Sequence, residues 1–147
     1  MKAPFLIGRI VFGGFFLYSG INHLLKANEM APHAKSKGVP APALAVKLSA
    51  IPLIAGGASL VLGVKPRIGA MAMLGFLAGV SPVMHDFWAR EDPGQRQNEM
   101  INFVKNLALA GGALALMGVE EPWEASVPAG QHTLSKKIHK IGRAIAA

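Results

Sequence analysis

Four apolar runs constrain this chain more than anything else in it. Residues 5–25, 44–64, 68–88 and 100–119 are each 20 or 21 residues long and almost free of charge. In a helix rising about 1.5 Å per residue, such a run covers about 30 Å, the thickness of a bilayer's hydrocarbon core. Hydrocarbon offers the backbone no hydrogen-bond partner, and a helix supplies its own. Together the runs take up most of the 147 residues, and only 16% of residues are charged, too few to wet the outside of a soluble domain. The expected fold is all-α: an integral membrane antiparallel four-helix bundle over residues 1–120.

The connections carry the polar residues. KANEMAPHAKSKGVPAPA, eighteen residues long, follows the first span and ends in turn chemistry, because Gly permits positive φ and Pro disfavours helix in the residue before it. GVKPR is so short that spans two and three must form a hairpin, and AREDPGQRQ leads into span four. No small-residue cleavage site follows the first run, which reads as a retained span and not a signal peptide. There is no cysteine, and so no disulfide, thiol couple or thiolate ligand in the polypeptide.

Residues 121–147 read as a cytoplasmic linker and a basic amphipathic helix. Leu134, Ile138, Ile141 and Ile145 share one helical face, with Lys136, Lys137, Lys140 and Arg143 off it. Such a helix lies on anionic lipid, which also accounts for the net charge of +7 better than nucleic-acid binding does. Lys and Arg divide eight to seven between the two sides, so the tail decides the orientation, with both termini in the cytoplasm.

Several residues carry structural expectations. Gly75 and Gly79 form a GxxxG, and Ala55, Ser59 and Gly63, with Gly111 and Ala115, repeat small residues at steps of four. Such spacing serves close packing within the bundle first and a homo-oligomer face second. Pro52 and Pro82 each remove a helical hydrogen bond. Arg9, one turn inside the cytoplasmic face, either snorkels or binds an anionic headgroup, with snorkelling preferred; Lys26 and Lys47 read as interfacial anchors. Phe87, Trp88 and Trp123 read as belt aromatics.

The alternation of spans brings polar residues to one end. Asn22, His23 and Lys26 leave span one, Lys47 and Ser49 begin span two, and His85 and Asp86 end span three. Glu99, Asn102, Lys105 and Asn106 open span four, with Glu99, Asn102 and Asn106 on one helical stripe. Polar groups at membrane depth are costly and turn inward to find partners, so a polar pocket is expected at the non-cytoplasmic mouth. His85 and Asp86 read either as a proton-transfer pair or as the end of a helix. His23 and His85, at the same depth, could ligate haem or a metal, but no ligand-spacing signature accompanies them and no metal site is expected. No polar line crosses the bilayer, which disfavours a transporter, and no hydrolase motif is present.

Arg9, the YSG at Tyr18–Gly20, GVPAPA, the AGG ending at Gly57, HDFW, RQNE and NFVKNLALAGGALAL together resemble the DoxX family. The resemblance implies a small four-helix protein of the bacterial inner membrane, associated with redox complexes. Some relatives are the membrane subunit of a thiosulfate:quinone oxidoreductase, others are partners of detoxifying enzymes, and distant ones are described as assembly factors. Two positions depart from it: His23 stands where many members have lysine, and Leu53 where many have glutamate. The implied function is a membrane subunit that couples a redox enzyme partner to a quinone. His85 and Asp86 would then be the proton-handling pair, and Asn22, His23, Asn102, Lys105 and Asn106 would hold the headgroup. Its amides would meet a carbonyl and Lys105 would meet developing negative charge. The alternative is a non-catalytic membrane scaffold or assembly factor.

Overall fold

Proline sets where three of the helices begin. In the computed structural model, which describes residues 3–120 and Trp123, α3 (Pro42–Leu62), α4 (Pro66–Met84) and α5 (Pro93–Met117) each start on one. A proline at the first helical position gives up an N–H that has no intrahelical partner anyway. Asp92 adds an N-cap to α5, its Oδ1 accepting from the Gln95 N–H at 2.7 Å. α1 (Ala3–Leu25) and α2 (Ala27–Ser36) precede them, and no strand occurs among the described residues. Beyond Met84 the apolar stretch runs on through a 3₁₀ turn at Phe87–Ala89. Apart from Trp123, the tail, where the sequence leads one to expect a basic amphipathic helix, lies outside the described residues.

Four helices, α1, α3, α4 with its extension, and α5, are long and apolar enough to cross a membrane. They form an all-α membrane bundle in which α1 packs on α3, α3 on α4 and α4 on α5. Phe16, Leu53, Leu60, Met73, Leu77 and Ala113 make the buried core, while Ile7, Val11, Ile51, Ile68 and Leu107 face outward. Outward apolar side chains are what hydrocarbon requires. α5 also meets α1 where the Phe12 ring lies against Gly112.

The glycines that bring helices together are not those of the GxxxG. A Cβ on Gly57 would sit 2.7 Å from the Gly13 carbonyl oxygen, and one on Gly56 would sit 2.9 Å from that of Gly69. Gly75 and Gly79 have nothing within 4 Å of that position. Four-residue spacing shows that two residues share a face of α4 but not which face. Ala70, Met73 and Leu77 form the buried one. Gly111 is likewise open, whereas Ser59 does meet Gly69.

Three other expectations change. The first connection contains α2, a short helix with Pro32 inside it, whose Ala27 and Ala34 are buried. Arg9 does not snorkel: it is fully buried, on the inward face it shares with Gly13, Phe16 and Gly20. Trp123 is not a belt residue. It is buried, its ring 5.5 Å from the Arg9 guanidinium carbon and edge-on to Phe5 at 4.9 Å. Cation–π and aromatic contact thus hold the chain after α5 against the start of α1.

One substitution at two sites separates close approach from open space. Gly57→Ala should lower stability by about 1–3 kcal/mol, because backbone must move aside. Gly75→Ala should be neutral or stabilising by up to about 1 kcal/mol, since helix propensity alone changes. Thermal unfolding in mild detergent checks both, and equal losses would contradict the packing described.

Candidate functional site

Gly38 places the first charged group of the site. At φ 75° it ends α2 in the left-handed region, with its N–H donating to the Lys35 carbonyl at 3.0 Å and the Val39 N–H to that of Ala34 at 3.1 Å. This is the Schellman arrangement, natural to glycine. It leaves Lys37 as the C-cap residue, its side chain only 4% exposed. α4 delivers the next two groups. The helix stops at Met84, so His85 and Asp86 follow a non-helical path. The capped start of α5 puts Glu99 two turns in.

These groups form one ion network at the non-terminal end of the bundle. Lys37 Nζ donates to Asp86 Oδ1 at 2.5 Å and to Glu99 Oε1 at 2.9 Å. Glu99 Oε2 pairs with His85 Nδ1 at 2.9 Å, and Arg90 holds Asp86 through Nη2 at 2.5 Å and Nε at 3.1 Å. Two cations face two carboxylates, so the network is neutral while His85 is neutral. The hydrogen bond to Asp86 holds the Arg90 guanidinium above its ordinary pKa. Phe87, Trp88 and Phe103 brace the network, with ring centroids 5.0 to 5.9 Å apart.

Beside it lies a cleft of about 510 Å³ between α1 and α5. His85, Asn102, Lys105 and Asn106 line it together with Phe12, Phe15 and Leu109. Asn106 lies seven residues beyond Glu99, about 10 Å deeper along the helix. When Nδ1 of His85 donates to Glu99, Nε2 is left to exchange a proton with a molecule in the cleft. A carboxylate on the far nitrogen fixes the tautomer and the orientation of the ring. The cleft thus joins an imidazole, two amides and an ammonium to a floor of aromatic and aliphatic surface.

Of the residues singled out in sequence, His85, Asn102, Lys105 and Asn106 come together. Asp86 stands behind them, engaged with Lys37 and Arg90. Asn22 and His23 belong elsewhere: neither lines this cleft, and His23 Nδ1 bonds Ser49 Oγ at 2.6 Å on α3. Lys37 was missed. It is one of two lysines in KSKG, and only the glycine after it hints which one turns inward. Among the described residues no group of His, Asp and Glu side chains could hold a metal ion.

If Gly38 aims Lys37, then Gly38→Val, at a strain of about 1–2 kcal/mol, should loosen α2 from the network. Backbone amides of α2 should exchange hydrogen about tenfold faster or more, while Lys35→Met, on the exposed face, leaves them unchanged. Exchange read by mass spectrometry decides; indistinguishable variants would contradict the placement.

No match is found among curated proteins or solved structures. The DoxX family model matches residues 5–86, more than half the chain, and takes in α1 to α4 with Lys37, His85 and Asp86. A membrane bundle with that match belongs to the DoxX family.

Proposed function

We propose that the chain is the membrane subunit of a redox complex and receives a quinone headgroup in the cleft between α1 and α5. The family is often linked to redox functions, and the donor set of the cleft suits that group. A quinone presents carbonyl acceptors on a flat ring with an apolar tail. Asn102, Asn106 and Lys105 offer N–H donors, and Phe12 and Phe15 offer apolar surface. The residues present fit.

The observation that carries this reading is the pairing of His85 with Glu99 at the rim of a cleft lined by two amides. The amides orient a carbonyl, Lys105 stabilises negative charge as it develops, and His85 holds or releases a proton at Nε2. Asp86 and Lys37 hold His85 and Glu99 in place, and so act on a bound group only through them. A bound quinone supplies the electron-accepting chemistry; electrons reach it from a redox partner enzyme. We place the protein in the bacterial inner membrane with both termini cytoplasmic. The basic tail then meets anionic lipid and the cleft opens on the outer side.

α5 favours a second reading. Ala113 is its only buried residue, and Ile101, Val104, Leu107 and Leu114 face outward along it. A helix so exposed can dock a partner's helix, as a scaffold or assembly factor would.

Titration of the purified protein with decylubiquinone separates the readings. Asn102→Leu and Asn106→Leu should each weaken binding about fivefold, one hydrogen bond's worth, with unfolding temperature unchanged. Absence of affinity in the unaltered protein, or full affinity in the double variant, would remove the quinone site. Loss of a co-purifying protein on Leu107→Arg, with quinone affinity absent throughout, would favour the scaffold.

A further inference from the structure

A second and larger cavity, about 670 Å³, lies between α1, α2, α3 and α4, away from the α1/α5 cleft. α2 covers it, and its walls are mostly aliphatic and aromatic, with Phe76, Gly79 and Val83 of α4 among them. The volume falls within the range of small-molecule sites. Its most informative polar group is His23, half-buried on α1. Ser49 Oγ donates to the Val46 carbonyl oxygen at 2.7 Å, which uses the only proton of that hydroxyl. The contact of 2.6 Å between Ser49 Oγ and His23 Nδ1 must then be donated by the ring. In the neutral imidazole this makes Nε2 an acceptor, and it has no hydrogen-bond partner among the described residues.

Lys37 also lines the cavity, but its charge is already met by Asp86 and Glu99. Apart from the imidazoles of His23 and His33, the lining therefore offers no uncompensated cationic side chain for a carboxylate or phosphate to meet. A half-buried acceptor among apolar walls suits an apolar molecule with one hydroxyl group, since an acceptor left unmet when the cavity fills is costly and an ether cannot donate to it. We propose that this cavity binds a neutral, hydroxyl-bearing apolar molecule, with His23 Nε2 accepting its O–H and α2 closing over its chain. The proposal is independent of the quinone reading, which rests on a different helix pair.

The probe is a dodecanol bearing a diazirine, photolysed with the full chain in phosphatidylcholine nanodiscs, with labelled peptides mapped by mass spectrometry. Label should appear within residues 30–39 and 76–84. Dodecanol should displace it at about tenfold lower concentration than dodecyl methyl ether or dodecanoate, a ratio within reach of one buried hydrogen bond. His23→Leu should erase the preference for the alcohol. Gly79→Phe should abolish labelling without lowering the unfolding temperature, because a Cβ at Gly79 meets nothing within 4 Å and Gly79 lines the cavity, whose space the ring would take. Equal displacement by the ether would mean a slot for lipid chains alone and would overturn the proposal. So would preference for dodecanoate, label outside those segments, or full labelling of Gly79→Phe.

Discussion

A lysine ammonium held between two carboxylates at the edge of a membrane organises one whole end of this protein. Lys37 comes from the end of α2, Asp86 from the end of α4 and Glu99 from the start of α5, so α2, which packs mainly on α3, is tied to the α4–α5 pair at one charge. Desolvated ion pairs add little stability in themselves, yet removing one partner leaves the others stranded at real cost. The network therefore acts more as a device of placement. With Lys37 on one oxygen of Glu99, the other oxygen is left to hold His85. That is how a side chain at the cleft rim acquires one orientation and one tautomer.

The two sides of the bundle differ in how firmly they are held. α1, α3 and α4 interlock through glycines whose backbones nearly touch, and such contacts tolerate no added methyl. α5 is joined to α4, to the aromatic cluster around Phe103, and to α1 at Phe12 and Gly112. The cleft lies between α1, locked to α3 by glycine contacts, and α5, which has one buried residue, and the ion network holds its polar rim together. The cavity under α2 sits on the rigid side and depends on α2 for its cover. Lys37 lines that cavity and reaches Glu99, whose other oxygen holds His85 of the cleft. One chain of hydrogen bonds thus runs between the two spaces.

Depth along the membrane normal was legible in the sequence, and direction around each helix axis was not. The length of an apolar run reports how much backbone must cross hydrocarbon, so the four spans and the gathering of polar groups at one end could be read directly. Glu99, Asn102 and Asn106 were legible as a stripe because steps of three and four share a helix face. Asn22 and His23 reach the same depth as His85, yet α1 turns His23 toward Ser49, and no local pattern announces that. Gly75 and Gly79 failed in the same way: the spacing was real and the face was the open one. α2 escaped notice because a ten-residue helix containing proline owes its existence to packing on α3, not to its own periodicity. Arg9 was misread because snorkelling is the cheaper course for a lone cation, and Trp123, which covers it, comes from beyond the last span.

The claim on which the account turns is that Lys37 and Glu99 stabilise one another inside the assembled protein. A double-mutant cycle measures that coupling: unfolding stability of the unaltered protein, Lys37→Met, Glu99→Gln and the pair together. The account predicts that each single change is destabilising and that the pair costs clearly less than their sum, because the second change removes the charge the first one stranded. Additive losses, or no loss from either single change, would contradict it.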